Sequence, residues 1–338
     1  MGQTLKCISP IDGSVYAERE TLSPEAAAER AAAARSAQAA WAARPLQERI
    51  DLVMAGVAAV GAMNDEIVPE LAHMMGRPVR YGGEFGGFNE RASHMARIAA
   101  DALADIEVGE DATFKRYIKR VPHGVVLVVA PWNYPYMTAI NTVAPALIAG
   151  NTVVLKHATQ TLLVGERMAQ AFQSAGVPAD VFQNVFLDHD TTSALIADRA
   201  FDFVNFTGSV GGGQAMERAA AGTFTGVGTE LGGKDPAIVL PDADIPLAAR
   251  AIIRSAIGMT GQACQSLERI YCHESIAEPF TEELLAQLKV LSLTCLMVLP
   301  SRLVVRLSWV ASLTSMTNKR SIKCIRSFSI NSGATNKQ

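Results

Sequence analysis

Cys264 and Glu230 carry side chains whose types and surroundings could support covalent chemistry. Glu230 opens the segment Glu-Leu-Gly-Gly-Lys, and Cys264 closes the segment Gly-Gln-Ala-Cys. A thiol in a glycine-flanked turn can approach a substrate closely, and a nearby carboxylate can act as its base or activate a water. We therefore interpret the stretch 230–264 as the region of the chemistry. In the alternative interpretation Cys264 is a small buried apolar residue, and Glu230 caps a helix or pairs with Lys234.

The elements that must position these groups are predicted from the apolar pattern between residues 124 and 229. Short apolar runs alternate there with helical stretches. The predicted strands cover residues 125–130, 152–156, 181–186 and 201–206. The predicted helices cover residues 135–148, 163–174 and 191–197. Because alternating strands and helices form right-handed crossovers, the sequence predicts an α/β fold with a mostly parallel sheet.

Polar residues follow the predicted strands where such sheets bind ligands, beyond the carboxyl ends of the strands. Asn133 follows the first strand, Lys156 ends the second, and Ser209 follows the fourth. A hydroxyl turn before a helix can present backbone N–H groups to a pyrophosphate. The glycines near Ser209 do not form G-x-G-x-x-G, so dinucleotide binding and a plain turn are both open. Asn133 could equally stabilise its own turn, and Lys156 could be a solvated charge.

Residues 1–113 are predicted to be a helical region, and residues 114–123 a separate strand. Ser23 fits an N-cap with Pro24 at the first helical position, and helical patterns continue to residue 103. The glycine-rich loop 82–87 has no strand before it, so a structural turn is preferred to a phosphate site. Residues 114–121 alternate as a half-exposed strand, a pattern typical of a sheet edge or a subunit contact.

Composition and charge exclude several classes of function. A chain of 338 residues, with 49% hydrophobic and 19% charged residues, is an ordinary soluble protein of about two domains. A net charge of -3 gives no reason to expect nucleic acid. Five cysteines without a C-x-x-C pair, and six histidines without ligand spacing, predict free thiols and no metal site. The N-terminus lacks an apolar secretory core, so we expect a cytoplasmic protein and no membrane partner.

The C-terminal tail differs in composition from the rest. Residues 284–338 contain eight Lys and Arg but no Asp or Glu, whereas residues 1–283 contain 22 basic and 33 acidic side chains. The apolar stretch 290–313 is interrupted by Pro300, Arg302 and Arg306, which argues against a membrane span. A basic surface-binding segment is a further alternative. We predict that residues 289–338 form a poorly ordered tail, as if the reading frame or a splice junction had changed near Leu288.

Five segments occur in an order that resembles the NAD(P)-dependent aldehyde dehydrogenase superfamily. They are Ala-Pro-Trp-Asn-Tyr-Pro at 130–135, Val-Val-Leu-Lys at 153–156, Phe-Thr-Gly-Ser at 206–209, Glu-Leu-Gly-Gly-Lys at 230–234 and Gly-Gln-Ala-Cys at 261–264. The likeness runs from about residue 8 to residue 288. It implies a Rossmann-type parallel-sheet cofactor domain with N-terminal helices, its dinucleotide-binding core at 124–229. An incomplete α/β catalytic domain follows at 230–288.

The resemblance implies roles for three catalytic residues. Cys264 resembles the nucleophile that attacks an aldehyde to form a thiohemiacetal, which loses hydride to the nicotinamide and leaves a thioester. Asn133 resembles the amide donor that holds the oxyanion together with the Cys264 N–H. Glu230 resembles the general base that activates the thiol or the hydrolytic water. The other cysteines match no motif of the family, and no role is expected for His157, which stands where the family often has proline.

The resemblance also implies a site for NAD or NADP. Lys156 resembles the residue that binds the adenosine ribose, and Ser209 the pyrophosphate contact. Many NAD-preferring members carry a glutamate three residues after this lysine, where Thr159 stands here, so we predict that NADP is tolerated. The full set of expected cofactor contacts is Ala130, Pro131, Trp132, Lys156, Thr159, Phe206, Thr207, Gly208, Ser209, Gly213, Leu231 and Gly232.

Two functions are compatible with this reading of the sequence. The first is oxidation of an aldehyde to a carboxylate by an enzyme of the family, which forms homo-oligomers. The second follows from the missing part of the catalytic domain, which in the family supplies a glutamate-phenylalanine motif, part of the substrate funnel and a last intersubunit strand. A chain without them could be an inactive remnant that binds a dinucleotide or pairs with full-length subunits through the strand at 114–121.

Overall fold

The chain divides into two compact units. The computed structural model describes residues 2–110, 113–289, 304–310 and 325–331. The first unit is Met1–Leu231 and the second is Gly232–Gln338. The finer boundaries expected at residues 113, 123, 229 and 288 stay predictions.

Residues 4–20 form an antiparallel hairpin, which corrects the helical prediction for residues 1–113. Strand β1 (Thr4–Ile8) pairs with strand β2 (Val15–Glu20). Gly13 lies in the connecting turn with a φ of 77°, a conformation that glycine adopts more readily than other residues. The prediction missed both strands.

Four helices follow the hairpin, as the helical pattern predicted. They are α1 (Pro24–Ala42), α2 (Leu46–Ala62), α3 (Asn64–Met75) and α4 (Phe85–Leu103). Ser23 caps α1, since its hydroxyl accepts the Ala26 N–H at 3.2 Å. Among the described residues no single helix is both long and apolar enough to cross a membrane, and only α2 and α3, bent by 69° at their junction, would pass as a pair by length and composition.

A second hairpin precedes the sheet. Strand β3 (Ile106–Glu110) pairs antiparallel with strand β4 (Lys115–Ile118), which lies within the predicted strand at 114–121. All residues of both strands are exposed in the isolated chain. The partner strand β3 was not predicted.

The core of the first unit is a five-stranded parallel sheet. Its strands are β5 (Val125–Val129), β6 (Thr152–Lys156), β7 (Phe182–Asn184), β8 (Phe203–Gly208) and β9 (Gly226–Leu231). The intervening helices are α5 (Pro135–Ile148), α6 (Leu162–Ser174), α7 (His189–Ala197) and α8 (Val210–Ala220). The strand order is β7-β6-β5-β8-β9 with every pair parallel, which confirms the predicted α/β fold.

Helices cover both faces of this sheet, which explains the uninterrupted apolar strands. All five residues of β5 are buried. Val126 belongs to the cluster that contains Leu147 of α5, whereas Leu127 belongs to the cluster that contains Ile196 of α7. Successive side chains of a strand point to opposite faces, so both faces must be apolar when both are covered.

The second unit contains a four-stranded mixed sheet. Its described elements are β10 (Asp235–Val239), α9 (Ile245–Ile257), β11 (Leu267–His273), α10 (Ala277–Lys289), β12 (Val304–Val310) and β13 (Ile325–Asn331). The strand order is β10-β11-β13-β12, with β10 and β11 parallel and the other pairs antiparallel. Much of the predicted tail at 289–338, including most of the apolar stretch 290–313, lies outside the described residues.

Candidate functional site

The sheet of the first unit changes direction between β5 and β8. From β5 the chain continues to β6 and β7 on one side, and then returns to β8 and β9 on the other. Connections therefore leave β5 and β8 in opposite directions, and sheets of this kind bind ligands at the carboxyl ends of the two strands where the direction changes. The residues that follow β5 and end β8 are those predicted to contact a dinucleotide.

The turn after β5 carries Asn133. The Ala130 N–H donates to the Lys156 carbonyl at 3.1 Å and so fixes the first residue after the strand. Ala130 and Pro131 are buried, whereas Trp132 and Asn133 are partly exposed. Asn133 therefore stands in a short turn between a buried strand and helix α5.

Lys156 is buried at the end of β6, so its interpretation as a solvated charge is wrong. The residue is 7% exposed. Burial lowers the pKa of its ammonium, while the Asp188 carboxylate acts in the opposite direction. Thr159 is half-buried and begins a 3-10 turn three residues further on. Lys156 and Thr159 therefore place two polar side chains near the end of a mostly apolar strand.

The N-terminus of α8 presents backbone donors at this edge. The Ser209 hydroxyl accepts the Gly212 N–H at 3.1 Å and caps the helix. The N–H groups of Val210 and Gly211 belong to the first helical turn, which lacks intrahelical acceptors, and such helix ends attract anions. A side chain at Gly211 would meet no atom within 4 Å, so the backbone there is open to a ligand.

Phe206, Gly213 and Leu231 hold α8 against the sheet. A Cβ at Gly213 would lie 2.7 Å from Cδ2 of Leu231, and one at Gly208 would lie 2.7 Å from the Phe206 ring. These glycines therefore permit close packing of strand, helix and ring. Their predicted contacts with a cofactor stay predictions.

Glu230 lies at the same edge, on the outermost strand. It pairs in register with Thr207 of β8, and its side chain is exposed. The structure thus brings the residues at 130–133, Lys156, Thr207, Ser209 and Glu230 to one edge of the first unit.

Cys264 and Gly232 belong to the second unit. Cys264 is exposed in a turn that the Ser266 N–H closes by donating to the Ala263 carbonyl at 3.2 Å. The buried Ser266 hydroxyl also donates to the Gly261 carbonyl at 3.4 Å. The ideal Cβ position of Gly233 is 4.0 Å from the Cys264 carbonyl oxygen. Lys234 pairs with Glu268, a partner that the sequence interpretation did not consider.

Two buried residues near Asn133 were not singled out as site residues in the sequence. Glu84, before α4, accepts the Met137 N–H through Oε2 at 2.7 Å and the Arg77 guanidinium through Oε1 at 2.9 Å. Arg77 lies over the ring of Tyr134, 5.6 Å from its centroid. Burial raises the pKa of Glu84 to about 7, although Arg77 acts in the opposite direction. The loop 82–87 therefore carries a carboxylate that contacts the start of α5.

His157 contacts the same helix from the sheet side. Its Nδ1 accepts the Ala158 N–H at 3.0 Å, so Nε2 carries the hydrogen and donates to the Pro135 carbonyl at 3.2 Å. Burial lowers the pKa of the imidazole to about 4, which keeps it neutral. His157, for which no role is expected from the sequence, thus contacts the start of helix α5 through a hydrogen bond. The sequence signal that could have singled out His157 is its position directly after Lys156, at the end of a predicted strand.

Comparisons with known proteins agree with this architecture. Residues 1–295 match the aldehyde dehydrogenase family. The chain is 33% identical over 297 residues to the NADP-dependent glyceraldehyde-3-phosphate dehydrogenase of Streptococcus equinus, covering 84% of this chain and 61% of that protein.

Two solved structures are also similar. The NADP-dependent glyceraldehyde-3-phosphate dehydrogenase of Bacillus halodurans, complexed with NADP, has a TM-score of 0.79 and 31% identity over 85% of this chain and 62% of its own. The NAD-dependent benzaldehyde dehydrogenase of Corynebacterium glutamicum has a TM-score of 0.77 and 30% identity over 85% and 64%. The chain thus spans less than two thirds of these relatives. It belongs to the aldehyde dehydrogenase family.

Proposed function

We propose that the protein oxidises an aldehyde to a carboxylate with NAD or NADP as the hydride acceptor. The observation that carries the proposal is the change of direction between β5 and β8, with Asn133, Lys156 and the N-terminus of α8 at one edge of the sheet. Parallel sheets bind nucleotides at such a change of direction. Relatives whose names state a dependence on NAD or NADP support the same assignment.

The residues at this edge fit a dinucleotide. The backbone at Gly211 is open, and the first turn of α8 offers N–H groups to a pyrophosphate. Lys156 offers a donor at the position that the family resemblance assigns to a ribose. When bound, the dinucleotide supplies the acceptor for the hydride. Thr159 adds no negative charge against a 2′-phosphate, so we propose that NADP is accepted as well as NAD.

The chain's own residues divide the remaining chemistry among them. The Cys264 thiolate forms a bond to the aldehyde carbon, and the Asn133 amide with the Cys264 N–H stabilises the resulting oxyanion. After hydride loss the acyl group is held on Cys264 as a thioester. Glu230 accepts a proton from water, whose oxygen bonds to the acyl carbon as the C–S bond breaks. The products are a carboxylate and the regenerated thiol.

Reduction of NAD or NADP in the presence of aliphatic and aromatic aldehydes tests this function. We expect Cys264→Ser to abolish turnover while dinucleotide binding is retained. Asn133→Ala should lower kcat by about 10²- to 10³-fold, the usual effect of removing one oxyanion donor. Cys272→Ala is the matched control, since Cys272 is a core thiol whose pKa burial raises to about 11. Turnover that survives in Cys264→Ser would overturn the assignment.

A second function is proposed because hairpin β3–β4 exposes apolar side chains in the isolated chain. In this case the protein binds a dinucleotide without turnover and pairs with longer family members through the hairpin β3–β4. The hairpin exposes Val108 (61%) and Ile118 (57%), which are costly to leave in water. We expect Ile118→Glu to prevent co-purification with a full-length homologue. Val79→Glu, at a residue 63% exposed outside the hairpin, should leave it unchanged.

A further inference from the structure

The start of helix α5 is held from two sides by buried polar side chains. On one side, Glu84 accepts the Met137 N–H, and Arg77 links Glu84 to the ring of Tyr134. On the other side, His157 donates to the Pro135 carbonyl. These groups come from segments far from α5 in sequence, so they connect the helix start to the loop before α4 and to the end of β6.

The turn that carries Asn133 is therefore fixed at both ends. At its beginning, the Ala130 N–H donates to the Lys156 carbonyl at 3.1 Å. At its end, Glu84 supplies an acceptor to the first turn of α5, where N–H groups have no intrahelical partner. Only four residues separate Ala130 from Pro135, and a segment this short has few conformations once both ends are held.

We infer that Glu84, Arg77 and His157 are positioning residues that set the location of the Asn133 amide. The inference rests on the proposed function, in which Asn133 stabilises the oxyanion. An oxyanion donor is effective only at about 2.7–3.1 Å from the oxyanion, so a shift of the turn weakens it sharply. None of the three side chains needs to touch the aldehyde to exert this effect.

The first part of the test measures the turn directly, by amide hydrogen exchange of the peptide that covers residues 131–138. We expect faster exchange there in Glu84→Leu and in His157→Phe, because each variant removes one anchor. His157→Gln should restore slow exchange, since its amide can still donate to the Pro135 carbonyl. Glu70→Leu is the matched control, because Glu70 is a buried carboxylate that accepts its hydrogen bonds from Arg167 of α6.

The second part measures aldehyde oxidation in the same variants. We expect kcat to fall by about 10- to 10²-fold in Glu84→Leu and His157→Phe, the effect of a displacement of about 1 Å, while KM stays within about twofold. Glu70→Leu should lower the unfolding temperature without this change in kcat, and His157→Gln should recover kcat.

The outcomes separate this inference from the proposed function. Unchanged exchange at 131–138 in His157→Phe, or equal acceleration in Glu70→Leu, would overturn the inference. If Glu84→Leu does not fold, the comparison of exchange and kcat between His157→Phe and His157→Gln still tests the inference. If the unaltered protein oxidises no aldehyde, the proposed function fails, whereas the exchange comparison still shows whether the three residues hold the turn. Faster exchange with unchanged kcat in an active enzyme would refute the positioning role.

Discussion

Glu84 and His157 are expected to give the first unit two opposing pH dependences of stability. Burial raises the pKa of Glu84 from 4.5 to about 7. The folded state then binds the proton more tightly than the unfolded state. The contribution of Glu84 to the free energy of unfolding is therefore fully present below pH 4.5 and is lost as the pH rises through about 7. Burial lowers the pKa of His157 from 6.5 to about 4. Its contribution is complete above pH 6.5 and is lost as the pH falls through about 4.

The magnitudes of the two contributions are similar. Each pKa differs from its ordinary value by about 2.5 units, and one unit corresponds to about 1.36 kcal/mol, so each group contributes about 3 kcal/mol over its range. Between pH 4.5 and 6.5 the contributions change in opposite directions. We therefore expect little net change in the free energy of unfolding from this pair in the unaltered protein.

Single substitutions should reveal each contribution separately. Glutamine at position 84 cannot titrate, so the free energy of unfolding of Glu84→Gln minus that of the unaltered protein should rise by about 3 kcal/mol from about pH 4.5 to 7.5. The same difference for His157→Gln should fall by about 3 kcal/mol from about pH 4 to 7. Urea unfolding followed by circular dichroism at fixed ionic strength measures both, and the differences cancel titrations elsewhere.

The double variant provides the control. With both groups replaced, the free energy of unfolding of the double variant minus that of the unaltered protein should change little between about pH 4.5 and 6.5, because the two contributions cancel there. A difference for Glu84→Gln that falls as the pH rises would refute the reasoning, because it would mean that the attraction of Arg77 for the charged carboxylate exceeds the cost of burying it. A constant difference for His157→Gln would mean that the imidazole is not held neutral.

Further predictions concern the edge of the sheet that carries Lys156, and the core. Thr159→Glu should raise the Kd for NADP by at least about tenfold with little change for NAD, whereas the neutral Thr159→Gln should leave both unchanged, as measured by calorimetric titration. Lys156→Met should weaken NAD and NADP binding together by about tenfold without loss of thermal stability, since it removes a buried charge. In helix α2, Gly56→Ala should lower the free energy of unfolding by about 1–2 kcal/mol, because overpacking against the Phe172 ring, 2.7 Å from the new Cβ, exceeds the helix propensity gained. Gly86→Ala in α4 meets no atom within 4 Å and should stabilise the protein slightly in the same urea titration.

The regular part of the parallel sheet was predictable because its local signals agree with its packing. Helix α5 runs from Pro135 to Ile148 as predicted, since Pro135 occupies the first helical position and Gly150 follows the end. Strand β6 also has its predicted bounds, Thr152–Lys156. Strand β8 is displaced by two residues from the prediction at 201–206. Apolar runs therefore predict that a buried strand exists more accurately than they predict the residues at which it begins and ends.

Elements fixed by distant contacts were missed. Strands β1 and β2 are short and alternate apolar with charged residues, and their strongest signal was the Asp12-Gly13 turn between them. The ion pair of Arg77 and Glu84 joins residues seven positions apart across a non-helical loop, a spacing that predicts no contact. The edge that carries Asn133 and Ser209 could be inferred from strand ends, but the groups that hold Asn133 in place could not.

The order of strands in the first unit has a consequence for synthesis on the ribosome. All partners of the central strand β5 lie before Leu231, and both of its apolar faces are covered by helices from the same stretch. Domains tend to fold as units from the N-terminus during translation. The first unit can therefore close its sheet while the segment that carries Cys264 is still being made. A nascent chain interrupted after Leu231 would already have acquired its most buried strands.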